Sequence, residues 1–193
     1  MTNIATKFFK SRSYTPIPFL ILMFVFQRAT IQSMVVGFLI ALCGELIRFW
    51  GVGWAGSETR TTGGVGGTFL IISGPFAYVR NPLYVGNILL YTGFGVMSLA
   101  LFPYLQIVAL LFFLTQYYYI IKEEESFLIK KFSEDFENYL KKVPRFFPRI
   151  TAYKIDNIEQ PVFNLKAGLR SEKRSLQAFV IVTIILIVLM VIV

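Results

Sequence analysis

Five long apolar runs limit what this chain can fold into more than any other feature of it. Against the roughly 20 residues that a bilayer-spanning helix needs, they extend over about Pro16 to Gln27, Ile31 to Trp50, Leu83 to Leu101, Pro103 to Ile121 and Ala178 to Val193. The first is short and draws on flanking residues such as Tyr14; the last is almost pure Val, Ile and Leu. Composition agrees. Charged residues make up only 16% of the 193, where a soluble domain carries about 25%. The expected fold is all-α, a multi-pass membrane protein of about five transmembrane helices with a cytoplasmic loop and helix.

The charges sort themselves across such a layout. Lys7, Lys10 and Arg12 precede the first run like the basic region of a signal peptide, but no small-residue cleavage site follows, so the run reads as a retained helix. With the N-terminus in the cytoplasm and the helices alternating, every one of the 19 basic residues except Arg28 falls on the inner side. That is the bias the positive-inside rule requires. It places the N-terminus and the polar regions in the cytoplasm and the C-terminal run's far end outside, in what reads as a prokaryotic cell membrane. The net charge of +8 is thereby explained by membrane orientation rather than by nucleic acid.

What the chain lacks narrows its chemistry. It has no histidine, which removes His-based acid–base catalysis and the usual His-containing zinc sites. Cys43 is the single cysteine, so there is no intramolecular disulfide and no cysteine metal cluster; inside an apolar run it reads as a small packing residue. No resident metal is expected.

Three regions are not apolar. Residues 51–82 form a Gly-rich loop containing Gly63-Gly64-Val65-Gly66-Gly67. Residues 122–142 read as a helix continuing out of the fourth run, with Phe127, Leu128, Lys131, Phe132, Asp135, Phe136 and Tyr139 marking an amphipathic period, ended by Pro144 and Pro148. Residues 149–177 read as a polar connector with a short interfacial helix near Lys166–Gln177, where Glu172 sits in a charge cluster with Arg170, Lys173 and Arg174. Two parts follow: a core over 1–148, with motifs at 63–86 and 123–148, and a connector plus C-terminal helix over 149–193.

Chemistry concentrates at two places. Glu123-Glu124-Glu125 stands at the mouth of the fourth run, where adjacent carboxylates repel one another and are costly to dehydrate. Either they are a solvated helix start neutralised by Lys122, Lys130 and Lys131, or they await a cationic group. The second place is the stretch from Gly74 to Gly86. Gly74-Pro75 favours a turn, Asn81-Pro82 restricts the backbone before the next span, and Pro82 suits its first turn. Glu45 and Arg48 form an ionisable pair three residues apart in or near the second run. They read as mutually neutralised, with Arg48 snorkelling, or as lining an acceptor pocket.

Taken together, Arg80-Asn81-Pro82-x-Tyr84-x-Gly86 and, some forty residues on, Glu124-Glu125-x-x-Leu128-x-x-x-Phe132 resemble the isoprenylcysteine carboxyl methyltransferases and their phospholipid N-methyltransferase relatives. That family's pattern is Arg-His-Pro-x-Tyr-x-Gly, then Glu-Glu-x-x-Leu-x-x-x-Phe-Gly, then a Tyr and a Val-Pro-Arg-like close, here Tyr139 and Val143-Pro144-Arg145. The resemblance covers about 40–148. It implies an integral membrane enzyme that uses S-adenosylmethionine. Its cofactor pocket would be lined by Thr68, Leu70, Ile71, Phe76, Asn81, Pro82, Leu83 and Tyr84, with Glu124 as the carboxylate that contacts the cofactor. Arg80 and Glu125 are the candidate catalytic residues, Glu125 assisting the reaction or orienting Arg80. The partners implied are membrane lipid and an amphiphilic, lipid-like acceptor, either an isoprenylcysteine-like carboxylate or a lipid amine.

Three departures stand out: Asn81 replaces the family's His, Ser133 replaces the Gly after the motif Phe, and Ile120 stands where the family places an Arg that meets a substrate carboxylate. Two rivals share part of the pattern. Sterol-reductase-like membrane proteins, which use NADPH, have a similar close around Tyr139 to Pro148, and a non-catalytic membrane scaffold would keep the pocket's outline. The methyltransferase expectation has one geometric requirement, that the Arg80–Tyr84 turn and the Glu124–Glu125 helix start come together.

Overall fold

A computed structural model describes residues 3–56, 70–154 and 158–192, and among them every regular element is helical. The elements are α1 (Asn3–Ser11), α2 (Pro16–Val25), α3 (Ile31–Ala55), a 3₁₀ turn (Gly74–Ala77), α4 (Pro82–Ser98), α5 (Tyr104–Lys142) and α6 (Leu165–Ile192). The fold is an all-α, multi-pass membrane fold. Helices α3, α5 and α6 are long and apolar enough to cross a bilayer; α2, with 10 residues, and α4, with 17, are shorter. The five apolar runs thus become five helices of unequal reach. α1, not foreseen, forms on the basic segment before α2.

The helices contribute to two compact units. The first comprises residues 1–46, 86–120 and 174–193. Its core gathers Met23, Ala41, Leu90, Phe94, Met97, Phe179 and Leu186, with rings in contact at Tyr91–Phe113 (4.5 Å) and Phe38–Phe179 (5.4 Å). α3 and α4 approach so closely that only glycine fits between them. A Cβ on Gly93 would stand 2.5 Å from the Ala41 nitrogen, and one on Gly44 would stand 2.5 Å from the Gly86 oxygen. Lipid offers little apolar driving force between helices, so this backbone approach, with the dispersion contacts it permits, does the work of cohesion. Inside the same unit the Ser175 hydroxyl donates to the buried Glu45 carboxylate at 2.8 Å.

The second unit comprises residues 47–85 and 121–173. Leu70, Ile72, Phe136, Tyr139 and Val143 form its core, with Leu128, Phe132 and Tyr153 packed around them. The expected amphipathic face of α5 is therefore real: Phe136 and Tyr139 point inward while Lys131 and Asp135 are exposed. α5 runs from the fourth apolar run to Lys142 and is interrupted in geometry at Ser133, whose backbone adopts φ 46°, ψ −121°.

Three expectations need correction. Lys166–Gln177 is no separate interfacial helix but the first part of α6, because nothing in that stretch breaks the helix before the apolar run takes over. Glu172 is buried rather than one of a surface cluster: the helix turns it inward, and its carboxylate lies 2.6 Å from the Arg48 guanidinium. Arg48 accordingly pairs across helices. Cys43 is exposed, not packed. The outward face of a membrane helix is as apolar as its inward face, so an apolar neighbourhood in sequence does not report burial.

Candidate active site

The turn at 73–81 begins with an extended Ser73, followed by Gly74 at φ +60°. A Cβ at Gly74 would collide with the Trp54 indole, so both its conformation and its crowding call for glycine. Pro75 opens the 3₁₀ turn and Pro82 opens α4, each at a first-turn position where its missing N–H costs nothing. Between them the chain is fastened to the segment after α5 by backbone bonds. The Arg80 N–H donates to the Pro144 carbonyl, the Arg149 N–H to that of Tyr78 and the Tyr153 N–H to that of Ala77, each at 2.9 Å. Asn81 Nδ2 adds a bond to the Arg145 carbonyl at 3.3 Å. In place of the family's His, then, Asn81 supplies a donor that locks the two segments.

This anchoring brings the turn against the acidic stretch of α5. Tyr84 Oη donates to Glu124 at 2.7 Å. Glu125 is held from two sides, by Arg145 (2.5 Å and 3.3 Å, one bond from each of two guanidinium nitrogens) and by Arg80 (3.5 Å). Arg80 also donates to the Leu140 carbonyl at 3.2 Å. The geometric requirement set by the sequence is met, since both motif stretches face each other within one unit.

Glu125 is compensated by two guanidinium groups, and charge-assisted bonds of that kind are strong and directional. Burial is the largest influence on Arg80 and lowers its pKa, with Glu125 opposing the shift; an arginine remains charged regardless. Its Nε is buried and finds no acceptor among the described residues. Tyr139 is pushed above the ordinary tyrosine range, first by burial. It stays a neutral donor, and its hydroxyl bonds the Phe76 carbonyl at 2.7 Å.

Of the residues expected to line a cofactor pocket, Asn81, Tyr84 and Glu124 are directly joined or adjacent, while Phe76, Leu83 and Ile71 are partly exposed. Leu70 and Pro82 are buried, Leu70 within the core of this unit. Thr68 and the run Gly63–Gly67 lie outside the described residues. Ile120 is fully buried. Sequence reasoning passed over Arg145, the closest partner of Glu125, although its place in the Val-Pro-Arg close was the available signal.

With this geometry in hand, comparison with known proteins is informative. A family model described as phospholipid methyltransferase matches residues 32–135, more than half of the chain. The chain belongs to this phospholipid methyltransferase family. Among curated proteins it is similar to the cobalt-zinc-cadmium resistance protein CzcN of Cupriavidus metallidurans, 39% identical over 85 residues, covering 44% of this chain and 38% of that protein. It is also similar to the nickel-cobalt-cadmium resistance protein NccN of Alcaligenes xylosoxydans xylosoxydans, 32% identical over 90 residues, covering 47% of this chain and 41% of that protein. The chain thus spans about two-fifths of the length of the curated relatives it matches. No solved structure matches it.

Proposed function

We propose that this chain is an S-adenosylmethionine-dependent membrane methyltransferase that acts on an amphiphilic acceptor, a lipid amine. The observation that carries the reading is the meeting of Tyr84 with Glu124 beside the Arg80–Glu125–Arg145 cluster. The donor set suits the cofactor. A half-buried carboxylate at Glu124 complements a ligand bearing an ammonium and a sulfonium, and such a partner is worth more in a partly dry site than in water. The Arg80 Nε–H offers a donor to the same ligand's carboxylate.

When bound, S-adenosylmethionine supplies an activated methyl group on sulfur. The protein's part is alignment more than acid–base work, which fits a sequence without histidine. Tyr84 orients the Glu124 carboxylate. Glu125, Arg80 and Arg145 hold the turn against α5, so Glu125 and Arg80 act by positioning. Buried, uncharged Ile120 in place of an arginine removes the partner a carboxylate acceptor would use, and this favours the amine. The active site is proposed to face the cytoplasm, as the basic residues require. The metals named for the relatives are not carried over to this chain.

The test is titration of detergent-purified protein with S-adenosylmethionine and with NADPH, followed by transfer of labelled methyl into a total lipid extract. Cofactor binding that Glu124→Gln weakens at least tenfold, with label in a lipid amine, is the expected result. Binding of NADPH instead would replace the reading by a reductase, and S-adenosylmethionine binding without turnover on any lipid would replace it by a scaffold.

A further inference from the structure

Residues 158–164 read in the sequence as part of a polar connector, and they lie beyond the stretch matched to the family. In the second unit they do something more specific. The Gln160 side chain grips the chain just before the 3₁₀ turn at three points. Its Oε1 accepts from the Ile72 N–H at 2.8 Å and from the Ser73 hydroxyl at 3.1 Å, and its Nε2 donates to the Leu70 carbonyl at 3.0 Å. These partners fix which way the amide points, because the reverse orientation would set donor against donor and acceptor against acceptor. The carbonyl of one residue and the N–H two residues on are the pair that a neighbouring strand takes from an extended chain. One glutamine here takes the place of that strand.

The consequence falls on Ile71. Leu70 and Ile72 are buried in the core while Ile71 between them is partly exposed, the alternation of an extended segment. A slip of one residue would exchange the buried and open side chains. Gln160 is well placed to prevent that slip, because its own segment is anchored. Phe163 packs on Trp54 (6.1 Å), and the Asn164 N–H donates to the Gly53 carbonyl at 2.8 Å. Asn164 Oδ1 then accepts from the Ala167 N–H at 2.9 Å, capping α6. Trp54 in turn crowds Gly74.

We propose that Gln160 is a positioning residue for the cofactor pocket, setting the register of residues 70–73 so that Ile71 and the turn after it meet the ligand. The proposal rests on the methyltransferase reading, and its test separates the two. The affinity for S-adenosylmethionine is measured by calorimetry, and amide hydrogen exchange over residues 70–79 by mass spectrometry, for the wild type, Gln160→Ala and Gln160→Glu. Gln160→Ala is expected to speed exchange at Ile72 and to weaken cofactor binding roughly tenfold, the scale of losing such bonds. Gln160→Glu at neutral pH sets a carboxylate against the Leu70 carbonyl and is expected to behave like the alanine variant. As the pH falls through the range in which that carboxyl gains a proton, the neutral acid can again donate to Leu70. The ratio of variant to wild-type affinity then returns toward one. This recovery occurs within a single protein and so does not depend on the alanine variant folding. Faster exchange with unchanged affinity, or no recovery on acidification, overturns the positioning role and leaves the methyltransferase reading standing. A wild-type protein that binds no S-adenosylmethionine overturns that reading, and the proposal with it.

Discussion

The two units of this protein are held by different physics. In the bundle unit, α3 and α4 meet through Gly37, Ala41, Gly44, Gly86 and Gly93, and the remaining contacts are largely aromatic and aliphatic. In the unit that carries the candidate site, a small apolar core at Leu70, Ile72, Phe136 and Tyr139 is supplemented by ion pairs and side-chain bonds to backbone. The first arrangement suits a solvent that supplies no polar partner and no apolar driving force. The second suits a region that must hold several loops in register. Steric changes should therefore be most damaging in the first unit and charge changes in the second.

The sharpest way to break that comparison is to enlarge a bundle glycine. Gly93→Val places side-chain atoms against the Ala41 nitrogen, the Ala41 Cβ and the Gly37 oxygen, mostly backbone that cannot give way. A loss of about 3 kcal/mol or more is expected, at the upper end of overpacking costs, read as a fall in the denaturation midpoint in detergent. Gly95→Ala is the control. Its new methyl meets the Gln106 and Met23 side chains, not backbone, at 3.1 Å and 3.6 Å, and the loss should stay below about 1 kcal/mol. Equal losses from the two substitutions would show that close helix approach is not what binds the bundle.

The matching change in the second unit is Glu125→Ala. It strands Arg80 and Arg145, two guanidinium groups that share one carboxylate. The cluster is only partly buried, so the loss should be about 2 kcal/mol, the scale of a hydrogen bond to a charged group. Because the turn and α5 would part, cofactor affinity should fall along with stability. Glu125→Gln keeps the shape and one acceptor oxygen and should cost less. If Glu125→Ala left both readouts unchanged, the cluster would not be what holds the site together.

Tyr139 sharpens the comparison from the side of pH. Its hydroxyl stays protonated in the fold because burial disfavours the phenolate, while in the unfolded chain it ionises near the ordinary value of 10.0. A group whose folded pKa is raised contributes stability that is complete below the unfolded pKa and is lost as pH climbs through the folded one. The second unit should therefore loosen as pH rises above about 10. Tyr139→Phe should cost about 1 kcal/mol at neutral pH and flatten the alkaline fall. Denaturation followed across pH 8–11 checks both effects, and an unchanged alkaline slope in the variant would assign the loss to other groups.

Sequence and structure agree where periodicity or local chemistry decides the outcome. The starts of α2, α3 and α4 follow from apolar runs and from Pro16 and Pro82, and the length of α5 follows from the amphipathic period through Tyr139. The convergence of Arg80 and Tyr84 with Glu124 and Glu125 was foreseeable only through the family pattern, because forty residues separate the two stretches. Long-range polar partners left no such trace. Glu172 sits among basic neighbours in sequence yet faces Arg48 on another helix, and Gln160 is one polar residue in a polar stretch yet holds the chain 88 positions away at Ile72. Side-chain direction around a helix is set by packing, and neither charge counts nor hydropathy encode it.

Ser133 offers the smallest effect and the one with a gain. The family pattern has Gly after the motif Phe, and here that position adopts φ 46°, ψ −121° within α5. Glycine reaches such a conformation freely, whereas any residue with a Cβ is strained there. Ser133 is exposed, so its side chain contributes no core packing that would be lost. Ser133→Gly should therefore stabilise the protein by about 1 kcal/mol, less whatever glycine's greater freedom in the unfolded chain takes back. The gain should be accompanied by unchanged cofactor affinity, since the strain lies in the helix and no ligand contact changes. A raised denaturation midpoint with the same affinity would assign the family's glycine to backbone geometry. A loss of stability would mean that the interruption in α5 is supported by the serine itself.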